Sequence, residues 1–240
     1  MCFHYSMSQV AKNLENRYHA PFTPAVTWEP RHHVNGFNFP LMPVVHGGKE
    51  RQITLLQWGL VPSWIRDPEQ AAEIRGKTLN ARSESAFEKP SFRKSLATRR
   101  CLVPADGFFE WQSVGTQKIP WFITLSGKEV FSFGGLWDIW EYPERETLHT
   151  FSILTTDANP LMAEIHNTKK RMPLILPEGS EGAWLDEKLP RQEVETLMVP
   201  FPEEGMKAWT ISTLITARGA DTNTPEVKKP WSYAPSRGLF

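Results

Sequence analysis

The sequence predicts a mixed α and β protein, rich in short strands with a few short helices. Three observations carry this. Twenty prolines in 240 residues exceed the average usage of about 5% and argue against an all-helical chain. Short apolar runs recur between clusters of Gly, Pro, Asn and Asp, as strands do. Helical periodicity is confined to brief stretches.

In chain order, Ser8 to Tyr18 reads as a helix capped by Ser8, with Val10, Leu14 and Tyr18 on one face. Residues 21–48 are rich in Pro, Gly and His and predict loop with short extended pieces. Ile53 to Trp58 is a strand, with Trp58 in the core, and Trp64 falls on the loop after it. Residues 67–76 read as a polar helix or loop. Leu79 to Glu84 is extended, so Asn80 and Arg82 share a face. Pro90 to Ala97 is a short helix. Cys101 to Trp111 reads as two strands hinged at Pro104-Ala105-Asp106-Gly107, a turn in which Asp-Gly permits positive φ. Trp121 to Leu125 and Val130 to Trp137 predict a hairpin about Ser126-Gly127-Lys128, and Leu148 to Thr155 a further strand. Asn159-Pro160 opens a helix with Leu161, Met162 and Ile165 on its apolar face and His166 at its end. Leu174 to Leu176 is a strand, residues 179–199 are two helices broken at Pro190, and Trp209 to Thr213 is a last strand. The chain is expected to form one domain, with a polar, proline-rich tail from about 217 extended over the surface.

Composition narrows the functional classes. Formal net charge is zero, so any nucleic-acid site must be a local patch. Two cysteines do not make a disulfide scaffold. No apolar stretch reaches the ~20 residues of a membrane span, and no secretory signal opens the chain. A cytoplasmic setting is expected. His32-His33 lacks zinc-like spacing, so no metal is expected there. No Gly-rich phosphate loop is present.

Certain residues carry chemistry. Removal of Met1 would leave Cys2 with a free α-amine of pKa about 7.7–8.0 beside a thiol of about 8.5. That pair can condense with an aldehyde and close a five-membered thiazolidine. It can equally serve as an N-terminal nucleophile in amide hydrolysis. Glu110, between Phe109 and Trp111, is costly to bury ionised, so its pKa should rise toward neutrality. Asn80 can hold a reactive group by its amide, and Arg82 suits phosphate. Trp64 is placed to stack on a base. His166, at a helix C-terminus before Lys169-Lys170-Arg171, is expected to keep its proton.

Four segments in this order resemble the SRAP (SOS-response-associated peptidase) family. They are Met1-Cys2, Asn80-Ala81-Arg82-Ser83-Glu84, Cys101 to Trp111, and His166 with Arg171-Met172-Pro173. Trp58 to Trp64 and Ile153 to Thr156 are similar to further family segments. The resemblance implies an α+β fold with strands wrapped as a barrel-like core. It implies covalent capture of abasic sites in single-stranded DNA, or at single-strand/duplex junctions, in a thiazolidine that protects the lesion, with no cofactor and as a monomer bound to the nucleoid. Cys2 would be the nucleophile, Asn80 a positioner, Glu110 a proton carrier and His166 an acid/base. Arg82 and Arg171 would meet DNA, and Trp64 and Trp111 would stack or wedge. The family continues Met-Cys-Gly-Arg, with that Arg on DNA; here Phe3 and His4 stand in those places, and His4 is the weaker phosphate ligand. Asn167 to Lys170 also lengthen the gap before Arg171. Self-cleavage of Met1 is compatible with this reading. The rivals are an N-terminal-nucleophile peptidase or amidohydrolase and a non-enzymatic nucleic-acid-binding module.

Overall fold

The computed structural model describes residues 2–141 and 147–233. The chain runs through β1 (His4–Met7), α1 (Ala11–Tyr18), β2 (Arg31–Asn35), β3 (Leu41–His46), β4 (Gln52–Trp58), α2 (Pro68–Arg75), β5 (Asn80–Arg82) and α3 (Arg93–Thr98). There follow β6 (Arg100–Ala105), β7 (Gly107–Val114), β8 (Gln117–Leu125), β9 (Phe131–Trp140) and β10 (Leu148–Asp157). The last elements are α4 (Pro160–Ile165), β11 (Arg171–Pro173), β12 (Ile175–Leu176), α5 (Glu181–Leu185), α6 (Arg191–Leu197) and β13 (Met206–Thr210).

Strands β10, β4, β3, β6 and β9 pair in that order, and β9 returns to pair with β10. The sheet therefore closes into a barrel, which removes its edges. β5 lies parallel to β10, with Asn80 opposite Ile153, and β11 pairs antiparallel at the end of β10. A second, antiparallel sheet runs β13-β8-β7-β1-β2. It packs on the barrel through aromatics: Tyr5 of β1 and Phe108 of β7 both meet Phe133 of β9 edge-on, at 5.9 Å between centroids. Trp58 is fully buried, stacks on Phe151, and donates its indole N–H to the Leu79 carbonyl at 2.8 Å. Each such side chain contributes about 1.5–3 kcal/mol by burial. The Leu79 bond also fixes where β5 begins, and so where Asn80 stands.

Local chemistry set several boundaries, the start at Asn159-Pro160 as expected. Asp67 and Asn159 cap α2 and α4, accepting from Glu69 N and Met162 N, and each helix opens on a proline. Ser8 is not a cap. Its amide and hydroxyl go to the Asp106 carboxylate, α1 starts later, and Val10 is exposed while Leu14 and Tyr18 are buried. Residues 21–48, expected as loop with short extended pieces, contain the regular strands β2 and β3.

The hairpin expected about Ser126-Gly127-Lys128 does not form. β8 pairs with β7 and β13, whereas β9 pairs with β6, β10 and β12, so this connection crosses between sheets. The strand partners were chosen by non-local burial, which turn chemistry does not encode. β6 and β7 likewise enter different sheets at Asp106. Gly107 is not among the positive-φ glycines. It is needed for closeness instead: a Cβ there would lie 2.1 Å from the Phe122 ring and 2.9 Å from the Ile123 carbonyl. Within the described residues, the segment from 217 is pinned at Val227, which is buried, and at Lys228, which reaches Asp106.

Gly107→Ala should therefore force β7 away from β8. Overpacking of this kind costs about 1–3 kcal/mol, to be read as a lower urea midpoint. An unchanged midpoint would show that the two strands can separate freely at this position.

Candidate functional site

The pairing of β1 with β7 sets Tyr5 opposite Phe108 and Ser6 opposite Gly107. Extending that register toward the N-terminus carries residue 2 alongside Glu110 and Trp111. Asn80 arrives from β5 and donates its amide N–H to the Cys2 carbonyl at 2.9 Å. Its Oδ1 is buried and has no partner among the described residues. His166 arrives from the end of α4, with Nε2 3.9 Å from the Glu110 carboxylate. Four sequence-distant residues, Cys2, Asn80, Glu110 and His166, thus converge, each less than a tenth exposed.

Burial decides their protonation. Loss of solvent raises the Glu110 carboxyl to about 7. It also raises the Cys2 thiol, and the negative charge of Glu110 adds to that shift. The thiol is therefore held protonated, contrary to the partly ionised state expected of a free cysteine. Met1 lies outside the described residues. His166 was expected to keep its proton, but desolvation lowers its pKa; α4 has six residues, too short for much of a dipole. The His166 Nδ1 is 2.8 Å from the Arg171 carbonyl. A carbonyl can only accept, so the proton sits on Nδ1 and the Nε2 lone pair faces Glu110. A carboxyl that titrates near neutrality and an imidazole with its proton on Nδ1, 3.9 Å apart and beyond direct hydrogen bonding, can both exchange protons with a substrate group that reaches them.

The surface candidates fall into two groups. Arg82 is exposed at the end of β5, Trp111 is half-buried, and Trp64 is half-exposed, with its indole N–H on the Pro90 carbonyl. Arg171 is placed otherwise than expected. Its guanidinium donates twice to Glu84 (2.9 and 2.8 Å), and to Asp157 (2.8 Å) and the Thr155 carbonyl (2.7 Å). It is buried and neutralised by two carboxylates, so it braces β11 and the carbonyl that holds His166. His4 is pulled down to about 3 by burial and the neighbouring His33, and it carries no charge for a phosphate at neutral pH. Two residues had no role in the sequence reading: Glu84, which fixes Arg171, and His33, 2.9 Å from His4. Glu84 lies in the same motif as Asn80 and Arg82, but nothing local names its partner.

Residues 1–218 match the family described as SOS response associated peptidase (SRAP). The abasic site processing protein YoqW of Bacillus subtilis is 37% identical over 189 residues, covering 78% of this chain and 80% of that one. The abasic site processing protein HMCES of Xenopus tropicalis is 33% identical over 199 residues, covering 75% of this chain and 57% of that one. A crystal structure from Bacteroides thetaiotaomicron superposes with a TM-score of 0.89 at 38% identity, covering 96% of this chain and all of the other.

The state of Glu110 can be read without any substrate. Its folded pKa of about 7 lies above the 4.5 of a solvated glutamate. Between those values the folded protein binds more protons than the unfolded one, so stability falls as pH rises through that window and is not regained above it. Glu110→Gln removes this loss. The variant should gain on the wild type from pH 5 to pH 8, by up to about 3 kcal/mol, in urea titrations at stepped pH. A constant difference across that range would mean that Glu110 ionises freely in the folded protein.

Proposed function

This chain belongs to the SOS response associated peptidase family, and from that membership we propose that it processes abasic sites by capturing them covalently in single-stranded DNA. The observation that carries the proposal is the buried convergence of Cys2, Asn80, Glu110 and His166, with Glu110 titrating near neutrality beside the thiol. An abasic deoxyribose opens to an aldehyde. Removal of Met1 frees the Cys2 amine, which adds to that carbonyl carbon. Loss of water gives a Schiff base. The sulfur then adds to the same carbon while its proton is transferred to the nitrogen, closing a thiazolidine. The balance is aldehyde plus aminothiol giving thiazolidine plus one water.

Each buried residue has a task in this scheme. Asn80 holds the backbone of residue 2 through the Cys2 carbonyl. The thiol is kept protonated, so the amine acts first and the sulfur follows once a base takes its proton. Glu110 suits that transfer because a carboxyl of pKa about 7 is partly in each form at neutral pH. Glu110 takes the thiol proton and delivers it to the nitrogen, and His166, neutral with its proton on Nδ1, serves as the acid/base that moves protons when the ring reopens. Arg82 lies exposed at the rim, where a phosphate would pass, and Trp111 and Trp64 offer faces to bases. Covalent attachment compensates for the lack of net positive charge.

Intact-mass measurement before and after incubation with abasic single-stranded DNA tests this directly. The expected result is loss of Met1, then a mass increase equal to the oligonucleotide less one water. Cys2→Ala should abolish the adduct and leave noncovalent binding near wild type. Cleavage of small amides without any DNA adduct would favour an N-terminal amidohydrolase instead.

Two further variants separate chemistry from binding. Glu110→Gln keeps shape but cannot exchange a proton, so adduct formation should slow by about 10²–10⁴-fold with little change in affinity for a non-reactive abasic analogue. Arg82→Ala should weaken DNA binding and lower its salt slope by about one. Wild-type crosslinking kinetics in the first, or an unchanged slope in the second, would remove that residue from its role.

A further inference from the structure

Residues 219–233 lie outside the family match, yet they are tied to both edges of the sheet that carries the N-terminus. At the β2 edge, the Asn223 side chain accepts from His32 N at 2.8 Å, and the Thr222 hydroxyl is 2.9 Å from His33 Nδ1. At the β13 edge, Trp231 N donates to the Thr210 carbonyl at 2.8 Å and Pro230 bridges Ile211. Between these points Val227 is buried in the cluster of Phe109 and Phe122, against which Trp111 packs. Lys228 donates to the Asp106 carboxylate at 3.0 Å. Residues 222–231 thus form a strap across the sheet.

The Thr222 contact continues inward. His33 Nε2 is 2.9 Å from His4 Nδ1, and the two rings stack at 5.1 Å, nearly parallel. The far side of His4 meets Trp111 edge-on at 4.8 Å. A line of contacts therefore runs from Thr222 through His33 and His4 to Trp111. We propose that the strap is a working part of the DNA site, with Thr222 and His33 as positioning residues that orient His4 and Trp111 and present His4 to the DNA backbone as a neutral N–H donor. This rests on the reading of the site as one for abasic single-stranded DNA.

The protonation pattern follows from the geometry. Each imidazole, when neutral, has one donor and one acceptor nitrogen. Burial keeps both rings neutral, His4 at about 3 and His33 at about 4. Two arrangements then satisfy the line. If the Thr222 hydroxyl donates to His33 Nδ1, His33 donates from Nε2 to His4 Nδ1, and His4 carries its proton on Nε2. If every bond runs the other way, His4 Nε2 is a bare acceptor that a phosphate oxygen would repel. Phosphate therefore selects the first arrangement, and Thr222 must be able to donate. The contact is that of an uncharged hydrogen bond, so it adds affinity without releasing a counterion. This gives position 4 a use that does not require the arginine of the family pattern.

The test uses the full chain. Affinity is measured on single-stranded DNA with a tetrahydrofuran abasic analogue, which cannot crosslink, and the maximal crosslinking rate on true abasic DNA. Thr222→Val and His33→Phe should each raise Kd about three- to tenfold, the effect of one neutral hydrogen bond. The rate at saturating DNA should stay within about twofold, and the salt slope should not change. Thr222→Ser, which keeps the hydroxyl, should bind like wild type, and the double variant should be no worse than the weaker single one. Wild-type Kd in both Thr222→Val and His33→Phe, a Thr222→Ser as weak as Thr222→Val, or a reduced salt slope in either would overturn the proposal. Because the analogue has no aldehyde, a wild type that binds it but never crosslinks true abasic DNA would count against covalent capture and leave the strap result standing.

Discussion

The site depends on how the N-terminal strand is held against β7. Cys2 lies two residues before β1, and only the β1–β7 register places it near Glu110. Asp106, at the joint between β6 and β7, secures that register. Its carboxylate binds the Ser6 and Ser8 hydroxyls, the Ser8 amide at 2.8 Å and the Lys228 ammonium. Its amide donates to the Ser6 carbonyl at 3.0 Å. These are charge-assisted bonds in a nearly buried setting, about twice as strong as neutral ones, and loss of one partner strands the rest. One residue thereby joins the start of the chain, the passage between the two sheets and the C-terminal strap.

Around that anchor, burial does two opposing things. It keeps Glu110 protonated into the neutral range, which suits proton transfer, and it disfavours the Cys2 thiolate. The two effects are coupled, because the charge of Glu110 further opposes ionisation of the thiol. In the proposed capture, such a pair favours an order of events in which the amine reacts before the sulfur. The same low-dielectric surroundings pull His166 toward neutrality, and the Arg171 carbonyl then settles its tautomer. Arg171 can hold that carbonyl in place because Glu84 and Asp157 fix its guanidinium. Its value to the site is mechanical, through β11, and not the offer of a free positive charge.

The strap shows how a change in one position draws in distant chain. A histidine at position 4 needs a partner to define its tautomer, and His33 supplies one from the neighbouring strand. His33 in turn is held by Thr222, nearly two hundred residues away in sequence. Each link is ordinary side-chain hydrogen bonding, but the line exists only because the strap returns across both edges of one sheet.

Much was legible in the residues themselves. The strand runs at Ile53, Cys101, Gly107 and Leu148, the Asn159-Pro160 helix start and the burial of Trp58 follow from period, turn chemistry and capping, which are local. The candidacy of Cys2, Asn80, Glu110 and His166 followed from residue chemistry together with a family resemblance spread along the chain. What sequence could not supply was partnership: that β8 and β9 part into different sheets, that Arg171 is neutralised by Glu84 and Asp157, that Gly107 is required by the Phe122 ring, and that Thr222 reaches His33. Protonation was half legible. The rise at Glu110 followed from its aromatic neighbours in sequence, whereas the neutrality of His4 and His166 came from elements far along the chain. Local rules act over a few residues. Strand pairing, ion pairing and desolvation are decided by which distant surfaces are buried together, and only the folded chain determines that.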